Sequence, residues 1–136
     1  MDFPHRPKEY RTLRTEVLVH EVGGGGWDIS FDLSGEGCAS PLALELCFRP
    51  GGTLTGDGLE PVPGSPDTFQ LVSGEATYTV GTDHITFGPG NGKGGRRPAL
   101  VDPGERYAWL NGSLTPDGVR VLITGRSPLT YRLTLR

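Results

Sequence analysis

Trp27-Asp28-Ile29-Ser30-Phe31-Asp32-Leu33 is a stretch in which apolar and polar side chains alternate without a break. Successive side chains of a β-strand point to opposite faces, so a period of two predicts a strand with one buried face. Trp27 is in phase with Ile29 and Phe31, and we expect it to pack in the core with them. The same alternation returns at residues 42–48, 76–80, 119–123 and 131–135, with glycine and proline clusters between the segments. Because no segment has a convincing helical period, the chain is predicted to be all-β.

The number of predicted strands narrows the fold class. About nine or ten short strands favour a two-sheet antiparallel β-sandwich or a jelly roll, with a small closed β-barrel as the alternative. The 136 residues are enough for one domain with a real core. We expect a polar N-terminal arm at residues 1–9 and a single β-sandwich domain at residues 10–136. Within that domain, residues 56–67 are predicted to form a proline-rich loop.

Composition and charge argue against several partners. The net charge of −3 comes from 13 basic and 16 acidic residues, which disfavours nucleic acid and anionic membranes as partners. No apolar run approaches the roughly 20 residues of a spanning helix, and the N-terminus lacks the apolar stretch of a signal peptide. We therefore expect a soluble, cytoplasmic protein. Cys38 and Cys47 are expected to be reduced, packed thiols.

A glycine-rich basic loop at residues 88–98 is the segment with the most functional character. Its cations Lys93, Arg96 and Arg97 are suited to an anion such as a phosphate, a sulfate or a uronate. Tyr107 and Trp109 share one face of a predicted strand beside this loop, where they could stack on a sugar ring. These five residues form the predicted ligand-binding surface, although a solvated loop without a ligand is equally consistent with the composition.

A second candidate site lies in the interior. Glu45 and Arg49 fall on a less polar strand face with Ala43 and Cys47, and a barrel interior would make Glu45 a buried carboxylate. Tyr78 and His84 complete this alternative site, whose simpler interpretation is a surface ion pair and a solvated hairpin histidine. The three histidines have no ligand spacing, so no metal site and no cofactor are predicted.

Residues 44–52 (Leu-Glu-Leu-Cys-Phe-Arg-Pro-Gly-Gly) and the hairpin at residues 81–90 (Gly-Thr-Asp-His-Ile-Thr-Phe-Gly-Pro-Gly) carry a resemblance to a known family. The chain, from about residue 10 onward, resembles the C-terminal β-sandwich of heparinase II/III-type polysaccharide lyases. The resemblance implies an accessory module that packs on or assists a carbohydrate-active partner. It transfers no catalytic residue, because those lyases carry much of their active site in a large helical domain.

Three functions are therefore open from the sequence. The first is a non-catalytic binding or accessory module for a carbohydrate or a larger protein partner. The second is a small β-barrel enzyme, of cyclase or isomerase type, that binds an apolar substrate in its interior. The third is a structural subunit, marked by a broad apolar face left uncovered in the monomer. A homo-oligomer is a further partner that the sequence leaves open.

Overall fold

The computed structural model of the protein describes residues 12–35, 39–92 and 118–136, and these ranges contain ten strands and no helix. The strands are β1 (Arg14–Val22), β2 (Gly26–Ser34), β3 (Pro41–Cys47), β4 (Thr53–Thr55), β5 (Leu59–Pro61), β6 (Thr68–Leu71), β7 (Ala76–Val80), β8 (Asp83–Gly88), β9 (Arg120–Arg126) and β10 (Leu129–Leu135). No helix in these ranges is long and apolar enough to cross a membrane.

The strands form two sheets. The larger sheet has six strands in the order β1-β2-β10-β8-β7-β4, and the smaller has four in the order β3-β9-β6-β5. Neighbouring strands are antiparallel except for β6 and β9, which are parallel. Neither sheet closes on itself within the described residues, which confirms the predicted sandwich and does not support the closed barrel.

The core fills the space between the inner faces of the sheets. Its most buried members are Leu71, Phe87, Val121 and Leu133, each with 0–1% of its surface exposed. Burying a side chain of this size stabilises the fold by roughly 1.5 to 3 kcal/mol relative to leaving it in water. Burial on one face explains the alternation in the sequence, because alternate side chains of a strand point toward this core.

Most strand positions agree with the sequence prediction, but residues 56–67 are not entirely a loop. Leu59–Pro61 form β5, which pairs with β6 at the edge of the smaller sheet. Pro61 lacks a backbone N–H, and such a residue is tolerated at a sheet edge. A three-residue strand that contains proline leaves no recognisable alternation, so the sequence could not reveal it. The predicted arm at residues 1–9 lies outside the described residues.

Trp27 is a second correction. Its phase with Ile29 and Phe31 indicated a core residue, yet 44% of its surface is exposed. Trp27 lies at the start of β2, where its neighbours across the sheet are Glu21 of β1 and Leu135 of β10. The larger sheet has two strands more than the smaller one. A side chain can thus have the correct phase for the inner face and still remain in water.

Candidate functional site

An apolar cleft opens between the two sheets on the side where β1 ends the larger sheet and β3 ends the smaller one. Its volume is about 210 Å³, and residues of β1, β2, β3, β9 and β10 line it. The apolar part of the lining includes Val17, Phe31, Leu33, Leu44, Ile123 and Tyr131. This cleft is the concave surface from which we build the candidate site.

One row of side chains across the larger sheet forms one wall of the cleft. Phe31 of β2 lies directly opposite Val17 of β1 and opposite Tyr131 of β10. The rings of Phe31 and Tyr131 are stacked, with their centroids 6.2 Å apart. Directly opposite residues of antiparallel strands share a face, so the register places three apolar groups side by side. Leu44 and Ile123 form a matching pair across β3 and β9 on the other wall.

Two polar side chains at the cleft, those of Tyr131 and Asn91, donate hydrogen bonds to the backbone. The Tyr131 hydroxyl donates a hydrogen bond to the Pro89 carbonyl oxygen at 2.5 Å. The Asn91 side-chain amide donates to the Thr124 carbonyl oxygen at 3.0 Å. Burial raises the pKa of Tyr131 to about 12, so its phenol is neutral throughout the physiological range. An occupant of the cleft would therefore meet mainly apolar surface.

Tyr131 is the one titratable side chain among the described residues that line the cleft. The described lining residues include no carboxylate, histidine or cysteine. Throughout residues 12–35, 39–92 and 118–136, no three or more His, Cys, Asp or Glu side chains are grouped so that they could hold a metal ion. The cleft can hold an apolar group by shape and by desolvation, and the Tyr131 hydroxyl at its wall already donates its proton to a hydrogen bond with the Pro89 carbonyl oxygen.

The predicted ligand-binding surface lies outside the described residues. It consists of Lys93, Arg96, Arg97, Tyr107 and Trp109, all within residues 93–117. Its role in anion or sugar binding stays a prediction.

The alternative interior site has its four residues in the described ranges, but they do not surround one cavity. Glu45 is exposed on the outer face of β3, and His84 is exposed in β8 of the other sheet. Arg49 is exposed just after β3. Tyr78 is 5% exposed and lies in the core. None of the four lines the apolar cleft.

Two of these residues make contacts that the sequence did not indicate. The Glu45 carboxylate is 3.5 Å from the guanidinium of Arg120 in β9, across the strand pair. The Tyr78 hydroxyl donates a hydrogen bond to the Arg49 carbonyl oxygen and accepts one from the Gly52 N–H at 2.9 Å. The phenol therefore anchors the turn after β3 and is not free to act on a ligand.

Cys47 is a free thiol at the end of β3, but it is exposed and not packed as predicted. Its position on the outer face, in phase with Glu45, explains the difference. Partial burial raises the pKa of this thiol, and the nearby Glu45 carboxylate raises it further. The thiol therefore stays protonated and is a poor nucleophile at neutral pH. Cys38 lies outside the described residues.

Comparison of the chain with protein-family models, with curated proteins and with solved structures gives no match. The resemblance to the lyase sandwich module thus stays a prediction. Function is argued below from the geometry of the cleft alone. The alternation of β2 and β10 was the available signal for its residues, but alternation does not distinguish a side chain in the closed core from one in an open cleft.

Proposed function

We propose that this protein is a non-catalytic binding module that holds an apolar side chain of a protein partner in the cleft between its two sheets. The observation that carries the proposal is the open, mainly apolar cleft in which the polar groups of Tyr131 and Asn91 are already hydrogen-bonded to the backbone. Water in such a cleft forms few hydrogen bonds with the walls. Its replacement by an apolar group is therefore favourable.

The size of the cleft favours a side chain over a free metabolite. Pockets for drug-sized ligands usually measure about 300 to 1,000 Å³. The cleft holds about 210 Å³, which is less than that range. An apolar cavity of about 150 Å³ is known to accept benzene. One aromatic ring or one branched aliphatic side chain thus matches the cleft, and the remaining binding energy would come from surfaces around it.

The chemistry of the lining favours a protein partner over a carbohydrate. A sugar presents hydroxyl groups around its ring, and burial without hydrogen bonds costs free energy at each of them. The cleft offers few polar atoms for that purpose. Carbohydrate binding through the predicted surface of Trp109 and Arg97 is a separate hypothesis, and the experiment below tests it as well. The barrel-enzyme hypothesis gains no support, because Glu45 and His84 do not reach the cleft.

A thermal-shift measurement with small apolar probes tests occupancy of the cleft. Indole and isobutylbenzene represent the side chains of tryptophan, phenylalanine and leucine. A probe that binds only the folded state raises the melting temperature by mass action. We expect a rise for the wild type and none for Thr15→Trp, because Thr15 is exposed at the rim of the cleft and an indole attached there would occupy it. Thr55→Trp is the matched control, since Thr55 is exposed on β4, away from the cleft.

A displayed random-peptide library then tests whether the occupant belongs to a protein. Selection on the wild type should enrich peptides with one aromatic or branched aliphatic residue, and these should lose affinity for Thr15→Trp but retain it for Thr55→Trp. Peptides that bind both variants equally would refute the proposal. A melting-temperature rise with oligosaccharides, abolished by Trp109→Ala or Arg97→Ala and without any response to the apolar probes, would replace it with the carbohydrate hypothesis.

A further inference from the structure

The β1 edge of the larger sheet, which pairs with no further strand of the described residues, carries a second inference that is independent of the proposed function. We propose that two copies of the protein pair through their β1 strands, antiparallel and around a two-fold axis at Leu18. The two six-stranded sheets would then form one continuous sheet of twelve strands.

The edge of β1 differs from the other sheet edges of the described residues. β4 and β5 are edge strands of only three residues each, and β5 ends in Pro61. β3 begins with Pro41. Short strands and prolines are devices that prevent pairing with another chain. β1 has nine residues and contains no proline, glycine or lysine. It has none of these protections, so its backbone is suited to pairing with a further strand.

β1 also exposes three consecutive apolar side chains at its centre. Val17, Leu18 and Val19 have 49%, 67% and 55% of their surfaces exposed. Val17 and Val19 lie on the inner face with Phe31 and Ile29, while Leu18 lies on the outer face beside Ser30. Apolar side chains are therefore exposed on both faces of one edge strand. A strand added to this edge would shield the apolar side chains on both faces at once. A ligand placed on one face would shield only the side chains of that face.

The symmetry of a homodimer restricts the register. Directly opposite residues of an antiparallel pair share a face, so a two-fold axis through the pair must pass through a residue and not between two residues. With the axis at Leu18, all nine residues of β1 are paired. Val17 of each copy faces Val19 of the other, and Leu18 faces Leu18. Glu16 of each copy faces His20 of the other.

Neighbouring registers are less favourable. With the axis at Val17, Leu18 would face Glu16, and with the axis at Val19 it would face His20. Each alternative also leaves two residues of β1 without a partner. Only the register at Leu18 places the three central apolar residues, Val17, Leu18 and Val19, opposite one another and an acid opposite a histidine; at the ends of the strand, Thr15 faces Glu21 and Arg14 faces Val22. Cross-strand pairs of these kinds contribute roughly 0.2 to 1 kcal/mol each.

Charge within the strand supports the same register. The Glu16 carboxylate already forms an exposed ion pair with Arg14 at 3.0 Å. In the dimer the same carboxylate would accept a hydrogen bond from His20 of the second copy. The strand thus presents its acid and its imidazole at equal distances from Leu18, which is what a self-complementary edge requires.

Molecular mass in solution is the first test. Sedimentation equilibrium of the wild type should show a mass that rises with concentration toward twice 14.6 kDa. Leu18→Lys places two like charges opposite each other on the axis, so this variant should stay monomeric at every concentration. Leu18 is highly exposed, so the change leaves the fold intact. Val80→Lys is the matched control, because Val80 is also exposed, at 48%, but lies at the end of β7. It should dimerise like the wild type.

Disulfide trapping tests the register. In a Cys38→Ser, Cys47→Ser background, Leu18→Cys should form a cross-linked dimer on mild oxidation, because the two side chains face each other. Glu16→Cys alone should not, since the two copies of residue 16 would be about 13 Å apart along the strands. A wild type that stays monomeric at high concentration would overturn the proposal. So would a dimer that Leu18→Lys leaves intact, or one in which Glu16→Cys cross-links as fast as Leu18→Cys.

Discussion

Replacement of Tyr78 by phenylalanine should destabilise the protein through the turn that follows β3. The Tyr78 ring packs on Phe48, with the ring centroids 4.6 Å apart, and its hydroxyl bonds to the backbone of Arg49 and Gly52. The substitution keeps the ring and removes only the hydroxyl. Any loss of stability therefore reports the two hydrogen bonds and not the packing of the core.

The expected magnitude follows from these two bonds. A typical intramolecular hydrogen bond contributes about 1 kcal/mol net, and a buried group left without a partner costs more. The turn is partly exposed to solvent, so water can replace part of the hydrogen bonding that the phenol supplied. We therefore expect Tyr78→Phe to lower the free energy of unfolding by about 1 to 2 kcal/mol. For a chain of 136 residues this corresponds to a fall in melting temperature of roughly 3 to 8 °C.

Urea denaturation followed by tryptophan fluorescence and circular dichroism measures this loss. The urea concentration at the midpoint of unfolding should fall. The slope of the unfolding free energy against urea concentration should stay constant, because the same surface is exposed on unfolding. Tyr131→Phe is the matched control, since the Tyr131 hydroxyl makes one hydrogen bond to the backbone, at Pro89, whereas that of Tyr78 makes two. Tyr131→Phe should lower the free energy of unfolding by less than Tyr78→Phe does. If Tyr78→Phe unfolds at the same urea concentration as the wild type, the anchoring role of the phenol is wrong.

Two further predictions use the same denaturation assay. The Gln70 side-chain amide donates to the Thr124 hydroxyl at 2.7 Å within a buried site, so Gln70→Leu and Thr124→Val should each cost about 1 to 3 kcal/mol. The double variant should lose clearly less unfolding free energy than the sum of the losses of the two single variants. Losses that simply add would contradict the pairing of Gln70 with Thr124. Tyr131 has its pKa raised from 10.0 to about 12, so the folded state holds the phenolic proton more tightly than the unfolded state. The resulting stability is complete below pH 10 and is lost as pH rises toward 12. Tyr131→Phe should therefore lose less stability than the wild type over that interval. Parallel plots of unfolding free energy against pH for the two proteins would refute the shift.

The sequence predicted the class of fold well because the inner faces of the sheets are regular. Alternation in β2, β3, β7, β9 and β10 marks residues that do face the core or the cleft. Strand order was not predictable, because a local pattern does not encode which strand lies beside which. β5 was missed for a related reason, since a strand of three residues is defined by its pairing with β6 and hardly by its own sequence.

The candidate site was less predictable, and Glu45 shows why. The sequence placed it with Arg49, four residues later on the same strand face. Residues so spaced on a strand are roughly 13 Å apart, so an ion-pair partner must come from the neighbouring strand. That partner is Arg120. The partner became identifiable only once β3 was known to pair with β9 in the register that places Cys47 opposite Arg120.

The cleft and the free edge have one structural origin, yet they are separable by experiment. Among the described residues the larger sheet has two strands more than the smaller one, so β1 is exposed at its edge and the cleft lies beside it. Thr15 lies on the inner face, opposite Leu33, whereas Leu18 lies on the outer face, opposite Ser30. Thr15→Trp should therefore fill the cleft, and Leu18→Lys should break the dimer without changing the response to indole. If Leu18→Lys stays folded but loses that response, the second copy must itself form part of the cleft, and the two surfaces would be a single site.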